Sequence, residues 1–295
     1  MLTLIRDDVE YSLDDGSLAY YLGDEGWGMA NLHRLSERGP LQDGDTDRGE
    51  RLDPRYGSLL FEIVAENRTS LYAIRESFMT LFHPSEMLKL RWDLPAVGIG
   101  IGGAEYPAIS RQFDVLYHSD MDFPSAKRTG YSQKFTVTMK ANDPTCYDPN
   151  PIVLTFSGGG GAGMPFPLLV PITFGASAMN ATIEMDQLGN ADDYPIIRIV
   201  GPITNPIITN LTYGMKLDFT GITIGAGVTY EIDLRYGHKT VIELPSTNRV
   251  NQLSTDSDLS TWRLVRGDND VSAQGTSITA ATKVLVTYYK RYLGV

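Results

Sequence analysis

Apolar and polar residues alternate with period two over much of the chain. Tyr230, Ile232, Leu234 and Tyr236 are interleaved with Glu231, Asp233 and Arg235, and Met215, Leu217 and Phe219 with Lys216 and Asp218. The same pattern sets Phe135, Val137 and Met139 against Thr136, Thr138 and Lys140, and Leu88, Leu90 and Trp92 against Lys89, Arg91 and Asp93. Successive side chains of a strand point to opposite faces, so each run predicts a strand with one face in a core and one in water. Clusters of Gly, Pro, Asn and Asp bound the runs, as short strands require. Strands this short and closely spaced predict antiparallel sheets packed as sandwiches.

One segment changes period. In ENRTSLYAIRESFMTLFHP, the residues Leu71, Ile74, Phe78, Leu81 and Phe82 share one helical face, which predicts a helix over about 69–83. Thr69 or Ser70 is the expected cap and Pro84 the stop. GSLLFEIVAE before it and MLKLRWDL after it read as strands. From Gly23 to Arg55 the pattern fades into Gly, Asp and Arg, with few apolar positions after Leu41. That stretch reads as a long surface loop, and long loops in compact domains are usually functional or disordered. The prolines and aspartates of NDPTCYDPNP, 142–151, should stop strand pairing and mark a domain boundary, giving 1–150 and 151–295. A second irregular stretch, SGGGGAGMPFP, follows at 157–167. The fold class expected is mainly β, in two β-sandwich domains, the first carrying a single packed helix.

Composition narrows the function classes. A chain of 295 residues with 42% hydrophobic and 21% charged residues holds two ordinary domains, far from the disordered regime. A net charge of −11, with no basic run, argues against a general nucleic-acid binder, whose phosphate contacts need clustered Lys and Arg. Cys146 is the only cysteine, so no internal disulfide can form. The opening MLTLIRDDVEYSLDD has no apolar stretch of signal-peptide length, and no segment approaches the ~18 apolar residues of a membrane span. A soluble protein made in the cytoplasm is expected.

Candidate chemistry is sparse. Gly158, Gly160 and Gly163, and Gly98, Gly100 and Gly103, both fit G-x-G-x-x-G. A dinucleotide site needs a helix to begin there, and Pro165, Pro167 and Pro107 follow instead, so both read as loop or turn. Asp43, Asp45 and Asp47 resemble a calcium loop, but Arg48 and Pro54 occupy the positions where an EF-hand needs Gly and Glu. His33, His83, His118 and His238 have no metal-ligand spacing. Cys146 sits in an acidic turn with no sequence neighbour to lower its pKa, so an inert thiol is expected. The sequons at Asn67, Asn180 and Asn210 read as chance matches. No catalytic residue, cofactor or metal site is expected.

Several segments, in order, resemble the phage tail component family that contains distal tail proteins. GWGMANLHRLSERGPLQDGDTDRGERLDPRYGSLLFEIVAEN is similar to the family's opening, and LYAIRESFMTLFHPSEMLKLRWD to its helix packed on a β layer. QKFTVTMKANDPTCYDP, with Ala141, Asp143 and Pro144, resembles the motif closing the N-terminal domain. ITNPIITNLTYGMKLDFTGITIGAGVTYEIDLRYGHKTV resembles the C-terminal sandwich, with a turn at Gly225 and Gly227 and a strand through Ile232 and Asp233. TWRLVRGDNDVSAQGT resembles a hairpin turning at Gly267, Asp268 and Asn269, and KVLVTYYKRYLGV a closing strand.

The resemblance implies a structural virion protein at the tail tip of a long, non-contractile-tailed phage, made in the host's cytoplasm. It implies a ring, usually hexameric, built by the N-terminal domains around a channel that passes DNA. It also implies an outward C-terminal domain that is galectin-like or carbohydrate-module-like. Tail tube protein, tape measure protein, and tail hub, baseplate and receptor-binding proteins are the implied partners, with no membrane and no specific nucleic acid. Two rival readings stand beside it. A carbohydrate-binding tail component would need exposed aromatics, with Tyr288, Tyr289 and Tyr292 as candidates, although core and edge positions suit strand tyrosines better. Another minor tail or tube protein is disfavoured by the two-domain pattern.

Overall fold

The structure, a computed structural model, describes residues 1–16, 19–96, 107–157 and 178–295. Both G-x-G-x-x-G stretches, and positions 158–167 of the Gly-rich segment, lie outside the described residues. The chain forms two compact units, Met1–Pro149 with Tyr292–Val295, and Asn150–Arg291.

The first unit runs β1 (Leu2–Arg6), β2 (Val9–Ser12), β3 (Tyr20–Glu25), β4 (Leu32–Glu37), β5 (Thr46–Leu52), β6 (Arg55–Val64), α1 (Arg68–Leu81), β7 (Met87–Leu94), β8 (Ile109–Ser119), β9 (Arg128–Thr129), β10 (Ser132–Ala141) and β11 (Cys146–Tyr147). One antiparallel sheet joins them in the order β2-β1-β7-β8-β10-β6-β3. β9 pairs with β10, and β11 with β8, so the Pro/Asp stretch carries a short paired strand rather than none. β4 and β5 stand apart and pair only with each other. The alternating residues of β7 and β10 face one core with Leu59, Phe61 and Ile63 of β6 and Phe113 and Val115 of β8. Register puts Phe135 opposite Phe61, and Leu90 opposite Phe113, so large apolar groups stack across neighbouring strands. β1 turns into β2 through Asp7 and Asp8, both at positive φ, which is the two-residue turn that suits the twist of a hairpin.

Helix α1 lays its apolar stripe on this sheet. Leu71, Phe78, Leu81 and Phe82 are buried and Ile74 packs against them. The Phe78 ring lies 5.6 Å from Phe61 and 5.0 Å from Phe135, centroid to centroid. The cap differs from expectation. Asn67 is extended, and its Oδ1 accepts the Ser70 N–H at 2.9 Å, while Thr69 and Ser70 already lie in the first turn. An Asn side chain satisfies an orphan N–H at the third helical position as Ser or Thr would. The helix closes where the Phe82 N–H donates to the Phe78 carbonyl, two residues before Pro84.

The second unit has two sheets. One is ordered Ile152–Ser157, Lys283–Tyr288, Ile196–Val200, Thr229–Asp233, Thr240–Glu243 and Thr247–Asn248. The other is ordered Ala178–Gln187, Gly267–Thr276, Ile203–Asn210 and Met215–Asp218, with Thr223–Ile224 added beside Ile203–Asn210. Phe156, Ile197, Ile199, Tyr230 and Ile232 from the first sheet share one core with Met185, Ile208, Leu217 and Val271 from the second, which makes the unit a sandwich. Gly227, at φ 77, sits in the turn between Thr223–Ile224 and Thr229–Asp233, where the resemblance placed it. Gly267, Asp268 and Asn269 are not a hairpin turn. They open a strand, opposite Gln187, Asp186 and Met185. Asn269 is fully buried and uses its amide to bond the backbone of Val265 and Gly267, while Asn210 donates to its Oδ1. That network holds the bend before the strand, so a polar residue here has a buried role.

Replacing Phe78 by Ala should cost about 3–5 kcal/mol, because the ring is fully buried between α1 and the sheet. Urea unfolding of the variant measures it. A loss under ~0.5 kcal/mol, typical of surface sites, would refute the packing.

Candidate interaction surface

The expected loop between Gly23 and Arg55 is a hairpin. β4 and β5 pair from Leu32 opposite Leu52 to Glu37 opposite Thr46, with a bulge after Leu35. Gly49, at φ 117, stands opposite Leu35 at that bulge. The tip is held locally: the Gln42 N–H donates to the Gly39 carbonyl and the Gly39 N–H to Gln42 Oε1. The pattern was hidden because the ribbon has no buried face. Every residue of β4 is exposed, and in β5 only Leu52 is partly covered. A two-stranded ribbon is marginal by itself in water. Its cross-strand ion pairs, Arg48–Glu37 at 2.7 Å and Arg34–Asp47 at 3.5 Å, join well-exposed side chains and add little. Leu32, Leu35 and Leu41 are offered to solvent, and Leu41 at the tip is 106% exposed with φ at 70°.

The base of this arm is rigid by contrast. Trp27 is buried, with ring centroids 5.1 Å from Trp92 and 5.3 Å from Phe113. It fits because Gly57 has no side chain: a Cβ there would fall 2.2 Å from the indole. Arg55, the first residue of β6, is also buried. Its Nη2 donates to the carbonyls of Pro144 at 2.7 Å and Leu293 at 2.8 Å, its Nε donates to Pro144, and its Nη1 donates to Gly28. The guanidinium carbon sits 4.7 Å from the centre of the Phe113 ring. Burial lowers the pKa of Arg55, and the charge is held by carbonyl dipoles and the ring. The chain's closing residues return here: Arg111 donates to the Gly294 carbonyl and covers the Tyr292 ring, and the Val295 N–H donates to Trp27.

The residues singled out in the sequence do not converge on a reaction centre. Among the described residues no group of three or more His, Cys, Asp or Glu could hold a metal ion. Asp43, Asp45 and Asp47 lie on the arm's tip, where Asp45 accepts from Ser36 and Asp47 from Arg34. His33 lies on the arm, His83 bonds Ser85, His118 packs on Tyr56 and His238 lies 3.4 Å from Asp233. Cys146 does have cationic neighbours, Arg111 and Arg55, brought near by the fold. Burial outweighs them and pushes the thiol's pKa up. Tyr288 is buried and Tyr292 is covered by Arg111, so these two form no open aromatic platform for a sugar. Arg55 carried no signal in the sequence, because its partners lie up to 238 positions away.

No protein-family model matches the sequence, and no curated protein sequence matches it. Solved structures do share the fold over its whole length. SPP1 Dit (gp 19.1), a hub adsorption apparatus protein of Gram-positive-infecting phages, superposes with a TM-score of 0.61 at 13% identity, covering 98% of each chain. A chain of the phage P2 baseplate in its activated conformation with Ca gives 0.53 at 10% identity, covering 100% of both. The P2 baseplate with Sr gives 0.50 at 10% identity, covering 97% of this chain and 98% of that one. The chain therefore shares the fold of SPP1 Dit and of that baseplate chain along its length.

Replacing Arg55 by Met keeps the stem but strands three carbonyl acceptors, and should destabilise the first unit by about 3 kcal/mol or more. Replacement by Lys should recover little of that, since an ammonium cannot reach all three. Urea denaturation of both variants tests this. Full stability of the Lys variant would show that charge alone suffices.

Proposed function

We propose that the chain is a structural protein of a phage tail tip, a distal tail protein that assembles into a ring joining the tail tube to the baseplate or fibre. The observation that carries the reading is the fold shared with SPP1 Dit and the P2 baseplate chain from end to end of each protein. The arm supports it. An exposed ribbon on a rigid base suits contact with a neighbouring subunit, and a head-to-tail contact repeated by rotation closes a ring. Six copies are proposed, with the first unit around the channel and the second projecting outward toward baseplate or receptor-binding proteins. The tube and tape measure proteins would meet the ring's other side.

The net charge of −11 per copy fits a conduit for DNA, because each phosphate neutralised by Lys or Arg adds salt-dependent affinity and so drag. The lumen is proposed to be acidic or neutral.

Three measurements test the proposal. Electron microscopy of purified protein should show rings with outward lobes; strictly monomeric protein at every concentration would overturn the ring. Asn31 and Asp53 already bond across the arm's base, through the Asp53 N–H and the Asn31 carbonyl. Replacing 32–52 by an Asn-Gly turn should therefore leave monomer stability within ~0.5 kcal/mol of the parent while rings disappear. Assembled rings should not retard duplex DNA on a gel at physiological salt, and retardation would refute the repulsive lumen.

A further inference from the structure

A positive patch stands at the start of α1 on a chain that is otherwise strongly acidic. Arg68 and Arg75 hold their guanidinium carbons 6.0 and 4.9 Å from the centre of the Tyr72 ring, and Arg75 also lies 4.3 Å from that of Phe123. A hydrogen bond from Arg68, then the charges of Arg68, Arg128 and Arg75, hold the Tyr72 hydroxyl below the usual tyrosine range. None of the three arginines forms an ion pair among the described residues, and Arg75 Nε is buried without a hydrogen-bond partner. Arg68 and Arg128, with Leu71, Gly130 and Tyr131, line an open hollow of about 130 Å³.

The same chain carries the complement. At the arm's tip, Leu41 is wholly exposed, and Asp43 and Asp45 follow it outside any ion pair among the described residues. One surface is an arginine-lined hollow that also carries Leu71 and Tyr131, and the other is an apolar knob flanked by carboxylates. They are different patches of one chain, so joining them between copies gives the heterologous contact that a ring needs.

We propose that the arm tip of one copy docks on this patch of a second copy, with Leu41 in the hollow and Asp43 and Asp45 against Arg68 and Arg128. The proposal rests on the ring reading above and identifies one contact that closes it. Arg75 lies beside the contact, and the bound tip would shield the patch from DNA.

Charge reversal tests it. One variant carries Asp43→Arg and Asp45→Arg, the other Arg68→Glu and Arg128→Glu. All four sites are exposed or partly exposed, and Glu at the first helical position favours α1. Each variant alone should assemble about tenfold more weakly by sedimentation, as loss of charge-paired contacts at an interface does. An equimolar mixture should restore rings, because every tip then faces a patch of opposite sign. Leu41→Asp, at a fully exposed site that cannot impair folding, should weaken assembly alone. Undiminished rings in both charge variants would overturn the contact and leave the ring reading standing. Loss without rescue on mixing would overturn it too, and retardation of duplex DNA by the Leu41→Asp protein, which frees the patch without adding a cation, would reassign the patch to an anionic partner other than a second copy. Wild-type protein that never leaves the monomer would overturn the ring reading itself, and the contact with it.

Discussion

The first unit depends on one buried cation. Arg55 begins the strand that follows the arm, and its guanidinium gathers the carbonyls of Gly28, Pro144 and Leu293. Those three points belong to the arm's approach, the end of the first unit's chain and the closing residues. A buried charge without good partners is costly, so the site is favourable only when all three segments are in place. The guanidinium fork suits that task, since several donors in fixed directions can meet acceptors that a point charge cannot. Trp27, pressed into the gap left by Gly57, supplies the apolar half of the same junction.

That junction explains how an arm with no core of its own can be positioned. Its strands hold together by backbone pairing and exposed ion pairs, which contribute little in water. Direction comes from the base, where Trp27 is locked and Arg55 bonds the backbone at Gly28. The division of labour is a rigid root and a ribbon that buries no face of its own. The likeness to hub and baseplate chains concerns this same two-unit fold.

How much of this the sequence revealed follows from what periodicity measures. It detects a boundary between core and water. Phe135, Val137 and Met139, or Leu71, Phe78 and Phe82, were legible because one face of each element meets the core. The arm was not legible as strands, since Leu32, Leu35 and their polar neighbours all face solvent within one chain. Asn67 was overlooked as a cap because its neighbours Thr69 and Ser70 are equally good candidates, and only backbone geometry chooses. Arg55 and the cations around Cys146 are contacts between distant positions, and no local pattern encodes them. The Asn269 network escaped for a related reason: a Gly-Asp-Asn run reads as a turn, and its burial is set by Asn210, 59 positions earlier.

The return of Tyr292–Val295 to the first unit has a consequence for the order of events during synthesis. Ribosomes deliver the chain from its N-terminus, and domains usually fold as they emerge. Here the second unit, Asn150–Arg291, emerges whole before the residues that fill the Arg55 and Arg111 acceptor sites have been made. The unit that begins first must therefore finish last. Until then Arg55 lacks one acceptor and the Trp27 carbonyl lacks its donor, so the arm's root is loose. A chain interrupted anywhere in the second unit would display the arm on an unfinished base.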